Sequence, residues 1–272
     1  MAHFLTADPP ADVTPAASTP AVTFTSAGET LLGVLHLPAG PGPHPVVVLL
    51  HGFPGIERNF DLAHALRRAG YAALVFHYRG SWGVGGTWSF QHVLDDAGQV
   101  VTTLRSEAAV YGLDSRRLAV VGHSLGGFAA LMTAAADPAV SAVVSVAGFD
   151  FGAAAALSRA DPAVRAAYVE SWDGELLPLR GTSGEALVAE MEAAGESWRL
   201  AGLAPRLADR PVLLIGAGRD SVAPVDVHHH PLVAAYQGRL AHKVFPTDHA
   251  LSDHRVALAR TVVDFLDRHL RG

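Results

Sequence analysis

Val46-Val47-Val48-Leu49-Leu50 is an unbroken run of β-branched and aliphatic residues, and a strand with no polar face has to be covered on both sides. A parallel sheet with helices packed on each face provides that cover. The rest of the chain carries the alternation such a sheet needs. The pattern predicts a helix around Asp61 to Ala69, closed by Gly70, then a strand over Ala72 to Phe76 and a helix around Val93 to Ser106. Strands follow at Leu118 to Val121, Ala142 to Val146, Val212 to Ile215 and Ala241 to Phe245, with a helix over Phe128 to Ala136. The closing helix, Arg255 to Leu270, puts Val256, Leu258, Ala259, Val262, Val263, Leu266 and Leu270 on one apolar face. Ahead of the first parallel strand, Ala21 to Thr25 and Thr30 to Leu37 flank Ser26-Ala27-Gly28-Glu29 and read as a hairpin. The expected fold class is α/β: a doubly wound, mostly parallel sheet with an N-terminal hairpin.

One interval breaks the rhythm. Phe149 to Leu207 is longer than an ordinary connection and rich in Ala, Glu and Arg at helix-compatible spacing. Residues 149–207 are therefore expected to form a helical cap insertion, because loops at the carboxyl ends of strands surround the ligand crevice. Residues 1–20, with Pro9, Pro10, Pro15 and Pro20, read as a loose lead-in without the basic region and apolar core of a signal peptide. That leaves 21–272 as a single domain.

Composition narrows the partners. With 272 residues, half of them apolar, the chain can bury a sizeable core. A net charge of -6 and a pI near 6.2 give no reason to expect nucleic acid or an anionic membrane surface. Cysteine is absent, which removes disulfides, thiolate metal sites and a cysteine nucleophile, and fits a reducing compartment. No apolar stretch reaches the roughly 18 to 20 residues needed to span a bilayer. The expectation is a soluble, cytoplasmic chain acting on a small molecule. The oligomeric state stays open, a homodimer included.

Chemistry enters at Gly122-His123-Ser124-Leu125-Gly126-Gly127, set between a predicted strand and a predicted helix. A serine on such a sharp turn has its hydroxyl pushed out at the carboxyl edge of the sheet, and the glycines supply the room. A chain with 27 glycines can produce GxSxG by chance, so the partners decide. A serine hydroxyl becomes a good nucleophile when an imidazole takes its proton and a carboxylate orients that imidazole. On an elbow of this kind the chain order is serine, acid, histidine.

After the strand Val212 to Ile215 comes Gly216-Ala217-Gly218-Arg219-Asp220, and after Ala241 to Phe245 comes Pro246-Thr247-Asp248-His249. Asp220 is preferred as the acid: it lies nearer the strand end than Asp226, and Asp209 precedes the strand and faces the wrong edge. His249 is preferred as the base, since His242 falls in the strand and His254 at the start of the final helix. Asp248 adjoins His249, but neighbouring side chains on an extended loop diverge. The oxyanion of a tetrahedral intermediate needs backbone donors. The N–H of Leu125, next after the nucleophile, is one, and the N–H of Phe53 in His51-Gly52-Phe53-Pro54-Gly55 is nominated as the other.

Other features read as bland. His228-His229-His230 point in different directions on any regular backbone, so no metal site is expected. Tyr78-Arg79-Gly80-Ser81-Trp82-Gly83 matches no nucleotide-loop pattern and reads as a structural turn, with Arg79 tying loops together. Trp82, Trp88 and Phe90 are open between lining a pocket and packing.

Taken together, HGFPG, FHYRGSWG, GHSLGG, GAGRD and TDHALSD resemble the α/β-hydrolase superfamily over most of the chain. They are similar to single-domain bacterial esterases and to prolyl-oligopeptidase-like and acylaminoacyl-peptidase-like catalytic domains. The resemblance implies a serine hydrolase with no cofactor, with roles falling on Ser124, Asp220, His249, Phe53 and Leu125. Residues 1–45 hold no propeller of the oligopeptidase kind, which favours an ester over a peptide. The alternatives carried are a peptidase, thioesterase or carbon-carbon hydrolase of the same fold, and a catalytically silent ligand-binding protein.

Overall fold

The computed structural model of the chain describes Leu5 and residues 7–271. Its centre is one eight-stranded sheet in the order β1-β2-β4-β3-β5-β6-β7-β8. The strands are β1 (Ala21–Ser26), β2 (Glu29–His36), β3 (His44–Leu50), β4 (Ala72–Phe76), β5 (Leu113–His123), β6 (Ala142–Val146), β7 (Val212–Ala217) and β8 (Leu240–Phe245). β1 and β2 are antiparallel to each other and β2 to β4, while every later pairing is parallel. The hairpin turns at Ala27 and Gly28, both at positive φ, which suits the right-handed twist of the strands it joins.

Alternate residues of β3 feed opposite cores. Val46, Val48 and Leu50 pack in one cluster and Val47 and Leu49 in the other, which is why this strand carries no polar position. The first face is covered by α2 (Phe90–Ser106) and α3 (Leu125–Ala136), the second by α1 (Phe60–Arg68) and α10 (Arg255–Leu270). Between β6 and β7 lie α4 (Phe151–Ala160), α5 (Pro162–Asp173), α6 (Gly184–Ala194) and α7 (Ala204–Leu207); between β7 and β8 lie the short α8 (Val225–His228) and α9 (His230–Ala235).

Several local expectations shift. Helix α2 begins three residues before Val93, because Ser89 accepts from the N–H of His92 and caps it there. α3 begins directly after Ser124 rather than at Phe128. On α10, Val256 is 63% exposed and not part of the buried face, whereas Phe265 is buried in it. The lead-in is tied down at its far end, where Ser18 and Leu37 exchange two backbone hydrogen bonds of 3.1 and 2.9 Å; Met1 to Phe4 and Thr6 lie outside the described residues. Among the described residues no helix is long and apolar enough to cross a membrane.

Candidate active site

β5 delivers the elbow. Ser124 sits at φ 57 and ψ -120, a conformation costly for a residue with a side chain. Its N–H donates to the Val146 carbonyl at 2.9 Å, and its own carbonyl accepts from Gly127 and Phe128 as α3 starts. The turn exists only because its glycines lack side chains: a Cβ at Gly122 would overlap the Gly126 carbonyl, and one at Gly126 the Leu50 carbonyl.

The loops after β7 and β8 bring Asp220 and His249 together. Nδ1 of His249 lies 2.7 Å from Asp220 Oδ2, and since a carboxylate only accepts, Nδ1 carries the proton and Nε2 is left as the basic nitrogen. Oδ1 of Asp220 accepts from the N–H groups of Val222 and Ala223, each at 2.8 Å. Burial works to raise the Asp220 carboxyl, but the His249 hydrogen bond and charge, with those two N–H groups, hold it below the usual aspartate value. Asp248 is occupied elsewhere, accepting from the N–H and hydroxyl of Ser252, so it does not compete for the ring.

The loop after β3 closes on the elbow from the other side. A Cβ at Gly52 would stand 3.1 Å from Ser124 Cβ, so a side chain there would press on the serine. The N–H of Leu125 is the first of α3 and has no partner within the helix. Tyr78 donates its hydroxyl to the His51 carbonyl at 3.1 Å, and Trp82 Nε1 donates to the Pro54 carbonyl at 2.8 Å. The HGFPG loop is thus held at both ends.

Ser124, Leu125, Phe53 and His249 line one cavity of about 200 Å³. Its walls are mostly aromatic: Phe53, Phe90, Phe149, Phe151 and Trp172, with Val222 and Glu175 also lining it. The rings pack edge to face, Phe90 against Phe151 at 4.4 Å and Phe90 against Trp172 at 5.2 Å between centroids. Phe149, Phe151 and Trp172 come from the segment after β6, and the sequence reading placed that segment over the site without naming them. Aromatic content gave no signal, because the insertion, with Phe149, Phe151, Tyr168, Trp172 and Trp198, is about as aromatic as the rest of the chain.

The remaining histidines take other roles. His228 accepts from the Asp150 N–H at 2.9 Å and stacks on Phe149 at 4.4 Å, His229 is buried, and His230 pairs with Asp226. Arg79 ties its loop to helix α2 rather than to another loop: its Nε donates to Asp96 Oδ1 at 2.6 Å and its backbone N–H to Asp96 Oδ2 at 2.7 Å. Trp88 and Phe90 are core residues of the pocket side, and Trp82 stacks on His77.

A mostly parallel sheet of this order, with a strained serine between β5 and α3 and a histidine-carboxylate pair after β7 and β8, defines a hydrolase of the α/β class. The chain belongs to the α/β-hydrolase superfamily: the family model described as alpha/beta hydrolase fold matches residues 45–211. It is similar to the 2,6-dihydropseudooxynicotine hydrolase of Paenarthrobacter nicotinovorans, 31% identical over 120 residues that cover 42% of this chain and 31% of that protein. It is also similar to an "uncharacterized 31.7 kDa protein in traX-finO intergenic region" of Escherichia coli, 27% identical over 179 residues covering 61% of this chain and 59% of the other. The match thus spans less than two thirds of either relative. Among solved structures, Est1E from Butyrivibrio proteoclasticus with bound ferulic acid superposes at a TM-score of 0.71 with 18% identity, over 92% of this chain and 100% of that one. A 2,6-dihydroxy-pseudo-oxynicotine hydrolase does so at 0.70 with 21% identity, over 93% and 68%. At such identities the structural likeness speaks for the fold.

Proposed function

We propose that the chain is a serine hydrolase cleaving a carboxylic ester of modest size, with residues 149–207 as the cap of a single domain running from 21 to 272. The observation that carries this is the 2.7 Å contact between His249 Nδ1 and Asp220 Oδ2, at the wall of the cavity that Ser124 enters.

Ser124 Oγ attacks the carbonyl carbon while Nε2 of His249 takes its proton, and Asp220 stabilises the imidazolium. The N–H groups of Phe53 and Leu125 receive the oxyanion. As the intermediate collapses the carbon-oxygen bond to the alcohol breaks, and His249 returns its proton to the leaving oxygen. Water, deprotonated by His249, then attacks the acyl-enzyme, and the acid leaves as Ser124 regains its proton. Side chains, backbone and water supply every group these steps use.

Turnover of a p-nitrophenyl ester by Ser124→Ala tests the reading. The expected loss is on the order of 10⁴ to 10⁶ in kcat with thermal stability close to the parent. An unimpaired variant overturns it.

A further inference from the structure

Two cavities meet at Glu175. The smaller aromatic cavity, of about 200 Å³, holds Ser124 and His249, and a second of about 570 Å³ opens along Ile56, Trp82, Leu177 and Pro178, with Glu175 lining both. The open groove is a built feature. The Trp82 N–H donates to the Pro178 carbonyl at 3.1 Å, the Arg180 N–H to Gly80 at 2.8 Å and the Trp88 N–H to Arg180 at 2.9 Å. These bonds hold Trp82 at φ 50, a left-handed conformation rare for so bulky a residue. Its indole N–H is bonded to the HGFPG loop as well, so the groove wall and the nominated oxyanion donor share one support.

Large aliphatic side chains stand in water around this mouth: Leu177 is 100% exposed, Ile56 70%, and Val222, which lines the smaller cavity, 52%. Clustered exposed apolar groups of this kind mark a surface with an occupant.

Continuity with the nucleophile's cavity identifies the occupant as part of the substrate, and the proton path says which part. The leaving oxygen receives its proton from His249, so the alcohol half of an ester lies on the His249 side. Glu175 is on that side: it lines the cavity together with His249 and lines the groove as well, and the His249 charge acts on its carboxyl. From His249 past Glu175 the path opens into the groove. The acyl half is left with the smaller cavity of about 200 Å³ and its aromatic walls.

We propose that the groove of Ile56, Trp82, Leu177 and Pro178 is the leaving-group subsite, which makes the preferred substrates esters of a short acyl group with a bulky apolar alcohol. The assignment rests on the serine-hydrolase reading above. Lengthening the acyl chain meets the wall of Phe90, Phe151 and Trp172, whereas lengthening the alcohol adds apolar contact.

The test compares kcat/KM along methyl, butyl and octyl acetate with kcat/KM along methyl acetate, butyrate and octanoate. The alcohol series is expected to rise at least about tenfold and the acyl series to fall. Leu177→Asp and Ile56→Asp change exposed positions and are expected to lower the octyl-to-methyl ratio of the alcohol series by about tenfold. A flat alcohol series beside a rising acyl series overturns the subsite. Fluorophosphonate labelling of Ser124 in the same preparations separates the two levels: labelled protein with a flat alcohol series removes the subsite alone, and unlabelled protein removes the serine reading and the subsite with it.

Discussion

The Nε2–H of His123 donates to the backbone carbonyl of His249 across 2.8 Å. The residue just before the serine thereby holds the loop of its partner histidine, and elbow and base move as one unit. Burial, with the nearby His249 ring adding to it, lowers the His123 ring to about 4, so it stays neutral and keeps the donor at ordinary pH. His123→Phe keeps a ring of similar size and removes the donor. It is expected to lower kcat for an ester about tenfold, the equivalent of one lost hydrogen bond, with KM nearly unchanged. Steady-state kinetics alongside thermal melting separates this from a folding defect.

Asp220 fixes the His249 tautomer, so Asp220→Asn leaves shape intact and offers the ring a group that can donate as well as accept. A loss of roughly 10⁴ in kcat is expected, as for the same change in a serine triad. Retention of parent turnover would assign the carboxylate a purely structural part.

The histidines predict how stability responds to acid. Burial, as the leading cause, holds His36, His123, His228 and His229 down to about 4 and His51 to about 3. Several of their ring nitrogens have no hydrogen-bond partner among the described residues. The unfolded chain takes up protons as pH drops below about 6.5 and the folded chain does not until about 4. Stability is therefore full above pH 6.5 and is lost as pH falls through that window, by roughly 1–2 kcal/mol per ring at pH 5. Urea midpoints between pH 7.5 and 5 are expected to fall steeply; a flat profile contradicts the neutral buried rings.

Asp96 is fully buried and receives both the guanidinium and the backbone N–H of Arg79. Asp96→Ala leaves that buried cation with only Asp95, 3.5 Å away and half exposed, and is expected to cost about 3 kcal/mol in denaturant unfolding. Because Arg79 leads into the loop that carries Trp82, selectivity for long alcohols is expected to fall in the same variant.

Residues that pack in runs were legible, and residues that depend on a distant partner were not. Ala72–Phe76 and Ala142–Val146 have in the structure the bounds read from sequence, because each is a short apolar run that a two-sided layer demands. β5 extends back to Leu113 through polar residues, since His44 and Pro45 of β3 pair with Leu113 and Asp114 there. Pairing of that kind leaves no hydrophobic trace. Asp220 and His249 could be nominated from strand order alone, and the structure places them in contact. Phe149, Phe151, Trp172 and Glu175 took their places only once the segment after β6 was folded back over the elbow. Val256 misled because the buried face of α10 is turned toward Phe265 and leaves Val256 in solvent.

The most direct measurement is fluorophosphonate labelling of the intact protein followed by peptide mapping by mass spectrometry. The account predicts a single adduct on Ser124, lost in Ser124→Ala and strongly slowed in His249→Ala. An unlabelled protein that still hydrolyses esters, or an adduct on another residue, would contradict it.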